Sequence, residues 1–261
     1  MKQGAQLVYR IVDVLTGLAA SNREGVGMTD LAKATGLTGP TVHRLLQAMA
    51  DVGLAYQRPE DRRYVLGSLL FELGRKAGER FDLQTICDAQ TEAVAHATGD
   101  TAFFLIRKNQ DMLCLSRASG SFPVKTLITE IGTRRPVGVG AGGLAVLAAL
   151  SESEALQLMQ TNAEVYREVG RDLSSIAEEV AVARSSGYVL RVMPALGATT
   201  VAVVVRDKAG YPFASVSASA ISQRMVNEHL TLVLDRMRVA VRQIEEQVDF
   251  DSRRLMDFKS G

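Results

Sequence analysis

Five polar side chains share one face of a predicted helix near the N-terminal end of the chain. Apolar residues recur there every three or four positions, so the polar residues between them face the opposite way. The polar residues are Thr38, Thr41, His43, Arg44 and Gln47. Their hydroxyl, imidazole, guanidinium and amide groups can form hydrogen bonds that distinguish base pairs in the major groove of DNA. The alternative interpretation is the solvated face of an ordinary amphipathic helix.

The segment that carries these residues has the pattern of a helix-turn-helix. A first short helix from residue 28 ends near Gly36, which tolerates a left-handed backbone, and Leu37 fills the corner. A second helix begins at Thr38 or Gly39, with Pro40 in its first turn, where a missing N–H costs nothing. Its predicted buried stripe consists of Val42, Leu45, Leu46, Met49 and Val52. Such a pair of helices can place the second helix in the major groove.

A predicted β-hairpin follows the second helix. Two short apolar runs, residues 54–56 and 63–66, flank a polar turn that contains Arg58 and Arg62. A recognition helix followed by a hairpin with a basic tip is typical of a winged helix-turn-helix. The two arginines could contact phosphate or enter the minor groove. The alternative interpretation is a solvated hairpin tip.

A second region with chemical potential is the glycine-rich loop Gly138-x-Gly140-x-x-Gly143. The spacing matches a dinucleotide-binding fingerprint, but that fingerprint requires a preceding buried parallel strand, and two arginines and Pro136 argue against one. Glycines still allow backbone N–H groups to converge at the start of a helix, where the helix dipole favours an anion. The sequence therefore predicts a site for a small carboxylate. The alternative is a close-packed crossing that needs glycine for space.

Hydroxyl side chains on two predicted strands support a small-molecule site. Ser217 and Ser219 alternate along one strand and so point to the same face, and Thr199 and Thr200 lie on the neighbouring strand. Hydroxyls beside a helix start can bind a polar molecule; a solvated sheet face is the alternative. We find no Ser-His-Asp, Cys-His or paired-carboxylate arrangement of credible spacing, so we predict no catalytic residues and no enzyme activity.

These candidate sites fall in three predicted segments. Residues 1–66 form a winged helix-turn-helix DNA-binding domain, residues 67–81 a linker helix, and residues 82–250 an effector-binding domain. Apolar runs around short turns predict antiparallel hairpins at 101–116 and 199–218, and residues 124–128 are a candidate third strand. Helical patterns flank these strands. The predicted fold class is α+β, with an antiparallel-rich sheet flanked by helices in the C-terminal domain.

Composition excludes several classes of protein. The chain has 261 residues and a net charge of +1, so any DNA contact must come from a local patch. Cys87 and Cys114 are isolated and the three histidines lie far apart, so we expect no metal, no cofactor and no disulfide. No apolar run approaches the roughly 20 residues that span a bilayer. The first residues lack a signal-peptide core, so we expect no membrane partner and a cytoplasmic location.

Several motifs occur in a characteristic order along nearly the whole chain. They are Gly36-Leu37-x-x-x-Thr41-Val42-His43-Arg44-Leu45-Leu46, Tyr64-x-Leu66-Gly67, the stretch Arg135 to Gly142, and the stretch Pro212 to Ser219 followed by Arg224. In these motifs the chain resembles the IclR family of bacterial transcriptional regulators. The resemblance implies homodimers, often dimers of dimers, on palindromic double-stranded DNA operators. It also implies small-molecule effectors, commonly organic acids of carbon catabolism or aromatic degradation.

The resemblance further implies where an effector would bind. Family members place effector contacts at a loop, at a strand position and at two serines that match Val139, Gly140, Ala141, Gly142, Thr200, Ser217 and Ser219. Many members carry a Gly-Lys-Ala stretch just after the loop, where this chain has Gly143-Leu144-Ala145. The sequence therefore predicts a DNA-binding regulator controlled by a small organic or aromatic acid. The alternative is a metabolite-binding module or enzyme whose helix-turn-helix serves protein contacts only.

Overall fold

The structure is a computed structural model, and it describes residues 3–21, 23–78 and 83–248. Contacts divide the chain into two compact units, residues 1–81 and residues 82–260. Among the described residues, no helix combines the length and apolar character needed to cross a bilayer. The same residues contain no cluster of three or more side chains suited to holding a metal ion.

The first unit is a winged helix-turn-helix, as predicted. Its elements are α1 (Gln3–Ala20), α2 (Met28–Thr35), α3 (Gly39–Asp51), β1 (Ala55–Gln57), β2 (Tyr64–Leu66) and α4 (Ser68–Gly78). The strands β1 and β2 pair antiparallel and form the wing. Helix α4 occupies most of the segment predicted as a linker, and residues 79–81 of that segment lie outside the described residues.

The core of the first unit comes from the apolar faces of its three N-terminal helices. Val14 of α1, Leu31 of α2 and Val42 and Leu46 of α3 are fully buried. The prediction that Val52 completes the buried stripe of α3 is wrong, because that side chain is 57% exposed. Helix α3 ends at Asp51, so Val52 lies beyond the last helical turn. Its side chain therefore does not continue the apolar stripe that the helical spacing predicts.

The second unit contains one sheet and six α-helices within its described residues. The strands are β3 (Thr101–Lys108), β4 (Asp111–Ser119), β5 (Arg134–Pro136), β6 (Val189–Met193), β7 (Ala198–Arg206) and β8 (Pro212–Ile221). The helices are α5 (Leu83–Thr98), α6 (Ala141–Ala149), α7 (Glu152–Thr161), α8 (Ala163–Glu168), α9 (Leu173–Ser186) and α10 (Asn227–Gln247). A short 3₁₀ turn, Pro194–Leu196, connects β6 to β7.

All pairings in this sheet are antiparallel, in the order β5-β4-β3-β8-β7-β6. One face packs against α5 and α10 in a core that includes Phe104, Val201 and Met237. The opposite face packs against α6 and α9 in a second core that includes Leu144 and Ile176. The predicted α+β class and the antiparallel sheet flanked by helices are therefore confirmed.

The prediction of a strand at residues 124–128 is wrong. The place beside β4 is taken by β5, whose Arg135 pairs with Met112. The preceding segment leaves the sheet, and two arginines from the strands hold its backbone. Arg117 donates from Nη1 to the carbonyl oxygen of Thr129 at 3.3 Å, and Arg135 donates from Nη2 to that of Ile128 at 2.7 Å. Local β-propensity therefore did not decide the structure of this segment.

Candidate functional site

Helix α3 presents the predicted recognition residues on its solvent face. Gly36 has a positive φ of 66°, which makes the sharp turn between α2 and α3. Thr38 is the N-cap residue in an extended conformation, and its Oγ1 lies 2.9 Å from Oγ1 of Thr41. Four of the five predicted side chains are exposed, namely Thr38, His43, Arg44 and Gln47. The fifth, Thr41, is half-buried. The helix therefore offers an outward face with donors and acceptors available to a partner.

The wing places its two predicted arginines in different environments. Arg58 pairs with the carboxylate of Asp61, with Nε to Oδ1 at 3.2 Å, and its guanidinium also donates to the backbone carbonyls of Arg23 and Glu24. The hydrogen bond from Arg58, followed by that from the backbone N–H of Arg63, lowers the pKa of Asp61. Arg58 therefore connects the turn of the wing to the loop before α2 and stabilises the wing.

Arg62 lies at the tip of the same hairpin and is exposed. Its φ is +61°, a left-handed conformation that few residues other than glycine adopt readily. The backbone at this residue takes part in the turn, because its N–H donates to the carbonyl of Arg58 and its carbonyl accepts from Nε2 of Gln57. The wing thus holds the side chain of Arg62 toward solvent.

The glycine-rich loop ends at the first turn of α6. Gly138 has a φ of +99°, and a Cβ at this position would lie 2.6 Å from the hydroxyl oxygen of Tyr166. A Cβ at Gly143 would lie 2.7 Å from the backbone nitrogen of Gly138. Both glycines are therefore required for close packing, which is the role that the alternative to an anion site assigned to the glycines of this loop. Gly140 has open space around it and precedes α6, whose first N–H groups have no acceptor within the helix.

Polar side chains brace this loop from behind. The Tyr166 hydroxyl donates to the carbonyl of Val137, and Arg171 donates from Nη1 to the carbonyl of Gly138 at 2.9 Å. Arg191 donates to the carbonyl of Val139. Sequence reasoning missed these residues because Arg171 and Arg191 lie 33 and 52 residues from their partners, and no local spacing links them.

The guanidinium groups give the loop a positive environment. Glu179 pairs with Arg171, but Arg191 forms no ion pair in the described part of the chain. Burial lowers the pKa of Arg191, and the like charges of Arg171 and Arg135 lower it further. Three arginines and one paired carboxylate therefore surround the loop, which favours binding of an anion there.

The predicted hydroxyls line the sheet face beneath α6. Ser217 and Ser219 of β8 are almost completely buried, so the solvated-face alternative does not hold. Thr200 of β7 lies opposite Ser219, and its Oγ1 donates to Ser219 Oγ at 3.0 Å. Thr199 faces the other side, where it donates to Ser222 Oγ at 2.9 Å. Only Thr200 of the two threonines therefore belongs to this face.

Ser215 extends the same row of hydroxyls, and sequence reasoning missed it. It is fully buried directly beneath Gly142, where a Cβ would lie 2.5 Å from Ser215 Oγ. Its Oγ has no hydrogen-bond partner among the described residues. The alternation of Ser215 with Ser217 and Ser219 was the signal that could have identified it. A small residue at position 142 and a small polar residue at position 215 allow α6 to approach the sheet.

A cavity opens between this sheet face, the start of α6 and the segment that precedes β5. The lining residues are Phe103, Leu105, Met112, Ile128, Thr129, Thr133, Arg135, Pro136, Gly140, Ala141, Gly142, Gly143, Thr200 and Ser217. An apolar floor, hydroxyl groups and a helix N-terminus suit a small molecule with an apolar body and an anionic end.

Five of the seven residues predicted to bind an effector line this cavity: Gly140, Ala141, Gly142, Thr200 and Ser217. The other two lie just outside it. Val139 has its carbonyl engaged by Arg191, and Ser219 lies behind Thr200, to which it is hydrogen-bonded. The cavity also includes Phe103 and Arg135, which were not among the predicted site residues.

Comparison with models of known protein families identifies both parts of the chain. The IclR helix-turn-helix domain matches residues 8–59, and the bacterial transcriptional regulator IclR C-terminal domain matches residues 75–246. The second match alone covers more than half of the chain. The chain belongs to the IclR family. It is therefore a member of a family of transcriptional regulators with a DNA-binding helix-turn-helix, and the resemblance seen in the sequence is confirmed.

Curated relatives of this IclR-family chain are regulators of transcription rather than enzymes. The HTH-type transcriptional regulator KdgR of Escherichia coli (strain K12) is 26% identical over 247 residues, which cover 93% of this chain and 92% of KdgR. The transcriptional repressor IclR of the same organism is 25% identical over 236 residues, covering 87% and 84% of the two chains.

Solved structures show the same fold. An IclR transcriptional regulator from Alicyclobacillus acidocaldarius superposes with a TM-score of 0.78 at 21% identity, covering 92% of this chain and 98% of the other. An IclR homologue from Microbacterium hydrocarbonoxydans, complexed with 4-hydroxybenzoate, gives a TM-score of 0.74 at 22% identity, with the same coverage. At these identities the likeness establishes the fold.

A further polar cluster in this IclR-family chain has a structural role. The buried Asp100 accepts from Nε of Arg224 at 2.8 Å and lies 2.7 Å from Nε2 of His229. Arg224 also donates to the carbonyl of Thr98 and stacks on the ring of Phe122, 4.4 Å from its centroid. These contacts tie the beginnings of β3 and α10 together, and none of them involves a nucleophilic hydroxyl or thiol.

Proposed function

We propose that this regulator binds an operator in double-stranded DNA through α3 and the wing, and that a small organic or aromatic acid in the cavity controls this binding. The observation that carries the proposal is the cavity itself. It combines a helix N-terminus, buried hydroxyls of Thr200 and Ser217, and an apolar floor in one unit of a chain whose other unit is a winged helix-turn-helix.

An acid is the ligand class that the cavity favours. The first turn of α6 favours negative charge, and the arginines near the loop add to the positive potential. Phe103, Leu105 and Met112 offer an apolar surface on which a ring or short carbon chain can lie. The structural neighbour that holds 4-hydroxybenzoate, an aromatic acid, supports the same class.

We propose that the face of α3 contacts base edges or phosphates through Thr38, Thr41, His43, Arg44 and Gln47. Arg62 contacts phosphate from the tip of the wing, and Arg58 holds the wing in place. Arg44→Ala should weaken operator binding by about 1–3 kcal/mol and change the preferred sequence, if the guanidinium reads a base edge. Arg44→Lys is the matched control, because it keeps the charge but loses the two-pronged donor geometry. Unchanged affinity and sequence preference in Arg44→Ala would remove this residue from the interface.

The ligand proposal is tested by thermal unfolding in the presence of small organic and aromatic acids. A ligand that binds only the folded state raises the melting temperature. Ser217→Leu should fill the cavity and abolish this rise while leaving operator binding intact. Thr199→Val is the control, because its hydroxyl lies on the other sheet face. A ligand response that survives Ser217→Leu would show that the site lies elsewhere.

Salt dependence separates this proposal from the alternative in which the helix-turn-helix serves protein contacts only. Phosphate contacts release counterions, so operator affinity should fall steeply as salt rises. A flat dependence on salt, or no DNA binding, would favour a metabolite-binding module or enzyme whose helix-turn-helix contacts protein.

We also propose that the chain acts as a homodimer or as a dimer of dimers, with α4 as the linker helix. Large apolar side chains are exposed on two helices of the first unit, including Val8 of α1 and Phe71 of α4, which is 69% exposed. Apolar groups exposed in this way are typical of an interface. Light scattering coupled to size-exclusion chromatography should give a multiple of the chain mass, and Phe71→Glu should lower it if α4 contributes.

A further inference from the structure

The segment between β4 and β5, residues 120–133, covers the cavity, and two arginines of the sheet contact the backbone of its middle part. Ile128 and Thr129 belong to this segment and line the cavity. The carbonyl of Thr129 accepts from Arg117, and the carbonyl of Ile128 accepts from Arg135. Large apolar side chains of the same segment, those of Val124, Leu127 and Ile131, are exposed. The two ends of the segment are held by backbone hydrogen bonds, from Phe122 N–H to the carbonyl of Gly99 and from Gly132 N–H to that of Cys114, so the arginine contacts act on its middle part.

Arg135 is the one charged side chain among the described residues that line the cavity. Its hydrogen-bond partner is a neutral carbonyl oxygen, at 2.7 Å. It forms no ion pair with a carboxylate in the described ranges 3–21, 23–78 and 83–248, whereas Arg171, at the back of the same loop, pairs with Glu179. The charge of Arg135 is thus available at the wall of a cavity that also receives the N-terminus of α6.

We propose that Arg135 binds the carboxylate of the ligand and that it does so by giving up the carbonyl of Ile128, which loosens segment 120–133. This inference rests on the proposed function, since it requires an acid in the cavity. A carboxylate is the stronger acceptor for a guanidinium, because it carries a negative charge and can accept two parallel N–H bonds. The ligand therefore favours the state in which the guanidinium of Arg135 binds the carboxylate in the cavity and no longer donates to the carbonyl of Ile128.

The exchange of partners links occupancy of the cavity to the surface of the second unit. Arg117 keeps its bond to Thr129, and the ends of the segment keep their backbone hydrogen bonds, so only the part around Ile128 is released. Arg171 and Arg191 are already engaged with the carbonyls of Gly138 and Val139. Arg135 is the arginine of this group that can change partners without disturbing the loop.

The test uses the full chain and three variants. Arg135→Gln removes the charge, and Arg135→Lys keeps it with a different geometry. Arg134→Gln is the matched control, because it removes a charge from the neighbouring position of β5, outside the cavity lining. Hydrogen–deuterium exchange of segment 120–133 is measured for each, without ligand and with pyruvate, benzoate or 4-hydroxybenzoate. Benzamide serves as the neutral counterpart of benzoate.

Without ligand, Arg135→Gln should speed exchange in segment 120–133 about tenfold, as expected when one hydrogen bond from a charged donor is lost. Arg134→Gln should match the unaltered chain. An acid that raises the melting temperature of the unaltered chain should speed exchange in the same segment, and benzamide should not. Arg135→Gln should bind that acid at least about tenfold more weakly, and Arg135→Lys should keep part of the affinity.

Three results would overturn the inference. Equal binding of an acid by the unaltered chain and by Arg135→Gln would show that Arg135 is not the recognition residue, and the proposed function would stand. Slower exchange of segment 120–133 on ligand binding would show that the ligand tightens the cover. If none of the three acids binds the unaltered chain, the acid class of the proposed function fails, and the role of Arg135 fails with it.

Discussion

The two candidate sites of this regulator are built in opposite ways. The proposed DNA-binding face of α3 is a convex surface formed by one helix, and His43, Arg44 and Gln47 are exposed on it. The candidate ligand cavity is concave, and its walls come from β3, β4, β5, β7, β8, α6 and the segment before β5. Its hydroxyls, such as those of Thr200 and Ser217, are buried. A site meant for a large polyanion can lie on one element, whereas a site that encloses a small molecule needs many.

The glycines next to the two candidate sites also differ in what they provide. In the first unit, Gly36 supplies a positive φ and has nothing within reach of an added Cβ. In the second unit, Gly138, Gly142 and Gly143 each face a group that an added Cβ would approach to 2.5–2.7 Å. Gly36 thus serves backbone direction, whereas the glycines of the loop before α6 serve close packing. Close packing requires glycine in the first unit as well, where a Cβ at Gly67 would lie 2.0 Å from the carbonyl oxygen of Gly53. The three predictions below sharpen the comparison of the two units, in order of expected effect.

The largest effect is expected for Gly143→Ala. A Cβ there would meet the backbone of Gly138 and Val137, so α6 and the loop would have to separate. Overpacking of this kind costs about 1–3 kcal/mol of unfolding free energy. Gly74→Ala, in the open interior of α4, should instead stabilise by about 0.5–1 kcal/mol. Urea unfolding of both variants checks the signs, and equal effects would contradict the contrast.

A smaller effect separates the two wing arginines. Arg62→Ala should leave the melting temperature unchanged and reduce the salt slope of DNA binding by about one unit, if the side chain contacts one phosphate. Arg58→Ala should lower the melting temperature, because it removes the partner of Asp61 and of two backbone carbonyls, and it should leave the salt slope unchanged. Binding titrations at several salt concentrations measure the slopes. An Arg58→Ala variant with a reduced slope would place Arg58 on the DNA.

The smallest effect concerns the helix caps. Helices α2 and α3 lack a side-chain cap, whereas Asp172 caps α9 by accepting from the backbone N–H of Ser175 at 2.7 Å. This bond, together with the hydroxyl of Ser174, lowers the pKa of Asp172. A lowered folded-state pKa gives stability that is full above the ordinary carboxyl pKa of about 4 and is lost as pH falls through the folded-state value.

Asp172→Asn keeps a good capping side chain but cannot titrate, so its stability should fall less steeply between about pH 5 and pH 3 than that of the unaltered chain. Denaturant unfolding at several pH values provides the measurement. Identical pH profiles of the two proteins would show that the carboxylate contributes nothing through this cap.

Sequence reasoning was most successful where the decisive contacts are local. The turn at Gly36, the start of α3 and the hairpin of the wing depend on residues a few positions apart. One error concerned the exact end of a helix, and the other concerned contacts between distant parts of the chain. Val52 left the buried stripe because α3 ended one residue earlier, and residues 124–128 stayed out of the sheet while Arg135 and its neighbours took the place beside β4.

The sequence by itself determined the family, the winged helix-turn-helix and the antiparallel sheet, because periodicity and turn residues act over short distances. Only the tertiary structure decided that Thr200 and not Thr199 faces the cavity, and that Arg58 braces the wing while Arg62 is exposed. It also decided that Arg171 and Arg191 hold the glycine loop. These assignments depend on which side chains from distant parts of the chain fill the same volume, and close packing settles that only when all elements are in place.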